Sequence, residues 1–161
     1  MGLVQIFSPP KNSKQISKIF LFFPSREWIS SATVTYVINE LVNKRENRYI
    51  VDNLNIHILP MANPDGYEYS RNYDRKWRKN RNTKNCYCYN FGEGCGVDLN
   101  RNWGYNWGTG VNGIHSSDEP CNHEKYHGAG PFSEPETRNI KKYLEGKDFL
   151  KKQKNNLLCF K

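Results

Sequence analysis

The sequence predicts an α/β sheet protein, and three stretches carry that prediction. Lys18–Phe23 (KIFLFF) is a short apolar run of β-favouring residues stopped by Pro24, the pattern of a buried strand. Residues from about Glu27 to Lys44 repeat Val34, Val37, Ile38, Leu41 and Val42 at helical spacing, which gives one core-facing stripe. Leu54–Leu59 (LNIHIL) alternates apolar and polar side chains and ends at Pro60, as a strand does. Strand, helix, strand in succession is the unit from which α/β sheets are built.

The remaining elements follow in order. The first 18 residues are polar, unpatterned and broken by Pro9-Pro10, so they are expected to be loop. Ala62 to Phe132 is rich in Gly, Asn and Tyr and shows little periodicity. A loop of that length inside a compact domain points to a functional segment. A last helix opens at Ser133-Glu134-Pro135-Glu136, where Ser133 and Glu136 form a capping box, and stops at Gly146. The tail KKQKNN has no apolar face.

Composition narrows the field less than the motifs do. The 161 residues have the length of one domain, and 37% are hydrophobic. Ten Tyr, eight Phe and four Trp argue against a disordered chain. The net charge of +8, concentrated at Arg71–Lys84 and after Lys141, suits nucleic acid, an acidic membrane surface or an acidic substrate without choosing among them. No apolar run reaches membrane-spanning length, and the opening Met1-Gly2-Leu3 lacks the features of a secretory signal. Cys86-Tyr87-Cys88 is tighter than a usual zinc-knuckle pair, so disulfide chemistry suits the clustered cysteines better. The residues alone leave the pairing open.

Three segments carry candidate chemistry: Ser25-Arg26-Glu27-Trp28 between strand and helix, Trp77–Arg81 in the basic loop, and Asp98–Trp103. The planar fork of arginine gives a carboxylate two parallel charge-assisted hydrogen bonds, and a neighbouring Asn adds a donor to the same oxygens. Two Arg and one Asn on one pocket would read a free peptide C-terminus.

Seven ordered motifs resemble the zinc carboxypeptidase family of the pancreatic A/B type. They are Ser25–Ser30 (SREWIS), Pro60–Tyr69 (PMANPDGYEY), Asp74–Arg81 (DRKWRKNR), Gly96–Asn102 (GVDLNRN), Pro120-Cys121, Tyr126-His127-Gly128 and Pro131–Thr137 (PFSEPET). The resemblance implies the N-terminal part of a mixed-sheet domain with flanking helices and a long disulfide-stapled loop. It divides the chain into a non-family leader at 1–24, a partial catalytic domain at 25–150 and a non-family basic tail at 151–161. It also implies residue roles. Glu27 matches a zinc ligand and Arg26 a substrate contact beside it. Arg78 matches the stabiliser of the tetrahedral oxyanion. Asn100 and Arg101 match the pair that clamps the substrate's terminal carboxylate. Cys95 and Cys121 match the family disulfide, while Cys86 and Cys88 lie in an insertion without counterpart.

The parent activity implied is zinc-assisted release of C-terminal residues from peptides in a secreted setting. The zinc site there has two His and one Glu, the ligand set for which carboxypeptidase A is the standard example. This sequence departs from that set. Pro24 stands where the first His is expected, and no His follows Phe149 to supply the second. The general-base Glu and the specificity residue also lie beyond the matched motifs. His115, His123 and His127 are the substitutes nearest the loop, since His57 sits within a strand. This chain is therefore expected to bind no zinc by itself, to be inactive, and to act as a monomer gripping peptide or protein C-termini, without membrane or nucleic acid. The alternative weighed is a nucleic-acid-binding piece using Arg71–Lys84. The pyrimidine-rich codons implied by Ile19–Ser25 and the Lys/Asn-rich tail further suggest that both ends derive from noncoding sequence.

Overall fold

The computed structural model describes residues 4–6, 16–21, 25–84, 86–88, 94–109, 115–146 and 158–159, with side chains described from 25 to 146 within those ranges. Strands β1 (Val4–Ile6), β2 (Ile16–Leu21), β3 (Leu54–Leu59) and β4 (Leu158–Cys159) form one mixed sheet in the order β1-β3-β2-β4. β2 and β3 run parallel from Ile16↔Leu54 to Leu21↔Leu59, joined by α1 (Trp28–Asn43) and α2 (Arg48–Asn53). That crossover is the long connection two parallel strands require. β1 pairs antiparallel with β3, Val4 opposite Ile58, and β4 pairs parallel with β2, Phe20 opposite Leu158. Among the described residues no helix is long and apolar enough to cross a membrane.

β3 is buried on both faces, and its two residue parities face different partners. Ile56 and Ile58 pack with Val34 of α1 and Val51 of α2, flanked by Ile38, Leu41, Ile50 and Leu54. Leu59 packs with Ala62 and with Ile140 and Leu144 of α4 (Pro135–Gly146), against Trp103. On that face His57 Nδ1 lies 2.6 Å from the Tyr143 hydroxyl.

Several expectations need correction. The residues before Lys18 were expected to be loop, yet Val4–Ile6 and Ile16–Ser17 are strand. Three residues are too short for alternation to register, and pairing with the buried β3 supplies what local pattern lacks. The strand expected at Lys18–Phe23 begins at Ile16 instead, while Phe22, Phe23 and Pro24 lie outside the described residues. The α1 stripe is narrower than its periodicity suggests: Val34 is buried, but Val37 and Val42 are exposed. The stretch after Ala62 is not all loop, because α3 spans Pro64–Asn72. Asn63 caps it by accepting the Gly66 N–H at 3.0 Å, and Pro64 and Asp65 sit in its first turn. Finally, α4 starts at Pro135, one residue later than a Ser133 cap allows. The Ser133 hydroxyl donates instead to Glu134 Oε1 and accepts from Asn102.

Candidate functional site

The turn between β2 and α1 is anchored by Ser25, which is fully buried. Its hydroxyl donates to the Arg78 carbonyl at 2.7 Å and accepts from Asn63 Nδ2 at 2.7 Å, while its own carbonyl accepts from Ser70 Oγ at 2.6 Å. These bonds bring Arg26 and Glu27 against the basic loop. That loop is in turn locked to Gly96–Asp98. Asn80 N–H donates to the Val97 carbonyl at 3.0 Å, and Asn80 Oδ1 accepts the Val97 N–H at 2.8 Å. The Gly96 backbone passes so close to the Asn80 carbonyl, at φ +136°, that a Cβ would lie 2.3 Å from it. Only glycine fits there.

The result is a continuous chain of alternating charges. Glu124 meets Arg26 at 2.8 Å, Arg26 meets Glu27 at 3.4 Å, and Glu27 meets Arg78 at 3.7 Å. Arg78 then forks onto Asp98, Nε to Oδ2 at 3.0 Å and NH2 to Oδ1 at 3.2 Å. Asp98 Oδ2 lies 3.8 Å from Arg101 NH1, and Oδ1 also accepts the Asn100 N–H at 3.0 Å. Pairing with Arg26 holds the Glu124 carboxyl below its usual range, and the Glu124 bond raises the Arg26 guanidinium. Arg101 ends the chain. Among the described residues its guanidinium has one ion-pair contact, the long one to Asp98, and its Nε is buried without a hydrogen-bond partner. Asn100 is half-buried beside it.

Sequence reasoning missed Asp98, although it stands inside the motif GVDLNRN. It is the hub of the site, almost wholly buried between two guanidiniums. A lone Asp inside a motif gives no sign of how many cations converge on it. Lys79 was also missed. Although it stands in the basic stretch Arg71–Lys84, it is fully buried, and its ammonium donates to the carbonyls of Gly94, Pro120 and Asn122. Burial lowers its pKa to about 8.

The expected Cys95–Cys121 disulfide is not formed. Cys95 is bonded to Cys86 and Cys121 to Cys88, with Cα separations of 5.8 and 5.5 Å. The Cys86/Cys88 insertion reaches into the cluster and takes both partners.

The surroundings of Glu27 do not fit zinc. Its near neighbours are the cations Arg26 and Arg78, and no group of three His, Cys, Asp or Glu gathers about it among the described residues. His127 sits against Trp107, 4.4 Å between ring centres, with Nδ1 3.2 Å from Ser116 Oγ. The expected first-ligand position, Pro24, lies outside the described residues.

The sequence profile of the zinc carboxypeptidases matches residues 8–157. The chain belongs to the zinc carboxypeptidase family. Carboxypeptidase B of Astacus astacus is 42% identical to this chain over 119 residues, 73% of the chain and 36% of that protein. Human carboxypeptidase O is 33% identical over 164 residues, 99% of the chain and 40% of that protein. The crystal structure of carboxypeptidase A from Helicoverpa armigera superposes with a TM-score of 0.70 at 34% identity, covering 89% of this chain and 37% of that one. The chain thus spans 36 to 40% of the length of these three relatives.

Proposed function

We propose that this carboxypeptidase chain carries the carboxylate-recognition part of the family's peptide-cleaving site. By themselves these 161 residues grip peptide C-termini without hydrolysing them. The observation that carries this reading is the open end of the charge chain. Arg78 is occupied by Asp98 and Glu27, whereas among the described residues Arg101 has a buried Nε with no hydrogen-bond partner and a 3.8 Å contact to Asp98. An unpaired buried donor on a cation is relieved by an anionic oxygen. Asn100, the residue before it, supplies the second donor in this reading. Arg78 is the oxyanion stabiliser of the family role, and Arg26 a flanking substrate contact. Glu27 is flanked by the cations Arg26 and Arg78 rather than by further zinc ligands among the described residues, which suits binding without hydrolysis.

Two disulfides stapling the loop support an oxidising, secreted setting for the protein. The basic stretch favours peptide over nucleic acid. Arg78 and Lys79 are turned inward, while Arg75 and Arg81 lie over Trp28 and Tyr69 at 4.0 and 3.8 Å.

The test compares a dipeptide with a free C-terminus and the same dipeptide amidated, titrated into the chain and followed by tryptophan fluorescence. The acid should bind and the amide should not, and Arg101→Ala should abolish the difference. Equal binding of acid and amide would remove the reading. Release of the C-terminal residue should stay at background, with or without added zinc, and also in Pro24→His. Turnover that a chelator stops would overturn the inactivity of the isolated chain.

A further inference from the structure

Arg26 and Arg101 stand toward opposite ends of the charge chain, with Glu27, Arg78 and Asp98 between them. A peptide whose terminal carboxylate lies at Arg101 therefore meets Arg26 with the residues that precede that carboxylate. Arg26 is already engaged there. Its NH1 donates to Glu124 Oε1 at 2.8 Å, and its Nε reaches Glu27 Oε1 at 3.4 Å. Glu27 is shared with Arg78, whereas Arg26 is the one ion-pair partner of Glu124 among the described residues. We propose that Glu124 is a specificity-determining residue: its carboxylate occupies the Arg26 guanidinium in place of a substrate carboxylate, so the site selects against peptides with acidic residues ahead of the C-terminus. This rests on the role proposed above for Arg26 as a flanking substrate contact.

An ion pair as exposed as this one, 32% on the Arg26 side chain and 53% on Glu124, ordinarily contributes little, because two long side chains must be ordered to make it. Here both backbones are fixed beforehand. The Arg26 carbonyl accepts from Arg75 NH1 at 2.7 Å, and the Arg75 guanidinium lies over the Trp28 ring at 4.0 Å. Glu124 sits in a turn closed by Asn122, whose Oδ1 accepts the N–H of Glu124 at 3.1 Å and that of Lys125 at 2.8 Å. The Asn122 carbonyl is held by the buried Lys79 ammonium, and the Tyr126 carbonyl accepts the Asp98 N–H at 2.8 Å. Asp98, which places the arginines, thus also helps to place the carboxylate opposite Arg26. That preorganisation lowers the cost of the pair.

The selection works by what an incoming side chain must displace. A neutral or cationic residue leaves the Arg26–Glu124 pair intact. An acidic residue has to take Glu124's place on Arg26, or else lie beside Glu124 and Glu27 with one guanidinium between them. Discrimination against a wrong partner by like charge is a common source of specificity. It runs against the chain as a whole, whose net charge of +8 would favour acidic peptides everywhere.

The test titrates two free-acid tetrapeptides into the full 161-residue chain, followed by tryptophan fluorescence. They share a C-terminal dipeptide and carry either Glu-Glu or Gln-Gln ahead of it. Wild type should bind the Gln-Gln peptide more tightly. Glu124→Gln should raise the affinity for Glu-Glu relative to Gln-Gln by about three- to fivefold. Glu119→Gln removes the same charge from the same loop and has no contact with Arg26 among the described residues, so it should leave the ratio unchanged. The gain should also vanish in Arg26→Gln/Glu124→Gln. No gain in Glu124→Gln, an equal gain in Glu119→Gln, or a gain that survives the loss of Arg26 would each overturn the assignment. The C-terminal grip is read separately, by comparing the Gln-Gln peptide with its amide on wild type. Acid preference without the ratio shift removes the role of Glu124 alone. The ratio shift with acid and amide binding alike removes the grip and keeps Glu124, and no binding of either peptide removes both.

Discussion

Asp98→Asn is the substitution that most directly probes the site, because it keeps the side-chain shape and removes one buried charge. The carboxylate is 3% exposed and faces Arg78 at 3.0 Å and Arg101 at 3.8 Å. At an effective dielectric of 20 those separations correspond to Coulombic attractions of about 5 and 4 kcal/mol, a ceiling offset by the carboxylate's own desolvation. Removing one partner of a buried pair leaves the other charge uncompensated, and costs about 3–5 kcal/mol. For a chain of this size that is a fall in Tm of roughly 6–20 °C. Urea unfolding followed by tryptophan fluorescence, with calorimetry alongside, measures it. Glu27→Gln is the control: Glu27 is 40% exposed and 3.7 Å from Arg78, so its loss should cost less than about 1 kcal/mol. If Asp98→Asn also falls below about 1 kcal/mol, Asp98 is not the hub of the charge chain and the order of contacts argued for Arg78 and Arg101 is wrong.

Three further outcomes are expected. Lys79 sits at about 8 in the folded protein against an ordinary 10.5, so the unfolded chain binds the extra proton between those values. Its burial penalty is full below pH 8, and stability rises with pH through that window by up to about 3 kcal/mol. The rise appears as the difference between wild type and Lys79→Met in pH-dependent denaturation, and a flat difference refutes it. Peptide mapping of the unreduced chain should recover Cys86–Cys95 and Cys88–Cys121. Removing the second pair should cost about 1 kcal/mol more than removing the first, because it closes 33 residues rather than 9. Gly128→Ala should destabilise by more than about 2 kcal/mol in the same urea assay. Gly128 has φ +88°, and a Cβ there would lie 2.4 Å from Ser133 Oγ and 2.6 Å from Asn102 Nδ2.

What the sequence makes legible is what short-range periodicity encodes. The alternation of Leu54–Leu59 marks β3, and the spacing of Val34, Ile38 and Leu41 marks α1, because burial on one face imposes a period. The order of the motifs identifies the family and brings Arg26, Glu27, Arg78 and Arg101 into view as candidates. β1 is invisible because its three residues take their stability from β3, not from their own pattern. The helix α3 carries start signals in Asn63, Pro64 and Asp65, but its mostly polar sequence has no apolar stripe to confirm them. Disulfide pairing, the centrality of Asp98 and the burial of Lys79 depend on which loops converge. No local pattern records that.

The convergence itself has a physical cause in the asparagines. A segment without helix or sheet must still satisfy its backbone groups, and side-chain amides can do so because each offers two donors and an acceptor. Asn102 is fully buried and has five polar contacts, three of them to backbone groups, with its two N–H groups shared among three acceptors. Its Nδ2 donates to the His127 and Gly130 carbonyls and to Ser133 Oγ, at 2.9, 3.1 and 2.8 Å. Its Oδ1 accepts from Glu134 N–H at 3.2 Å and from Thr137 Oγ1 at 2.7 Å. Asn80 ties the basic loop to Val97 and donates to Glu134 Oε2 at 2.7 Å, so Glu134, at the foot of α4, joins two of these hubs through its carboxylate and its backbone N–H. Asn63 does the same for Ser25 and the Lys79 carbonyl. Each amide thus replaces several rungs of a missing ladder beside the site: Asn80 and Asn102 lie within two residues of Arg78 and Arg101, and Asn63 holds the Ser25 turn before Arg26. The loops that bear the arginines are held by buried polar contacts as fixed as those of a helix. That lets a charge chain built on irregular backbone keep its contacts between 2.8 and 3.8 Å, with Arg101 at its end.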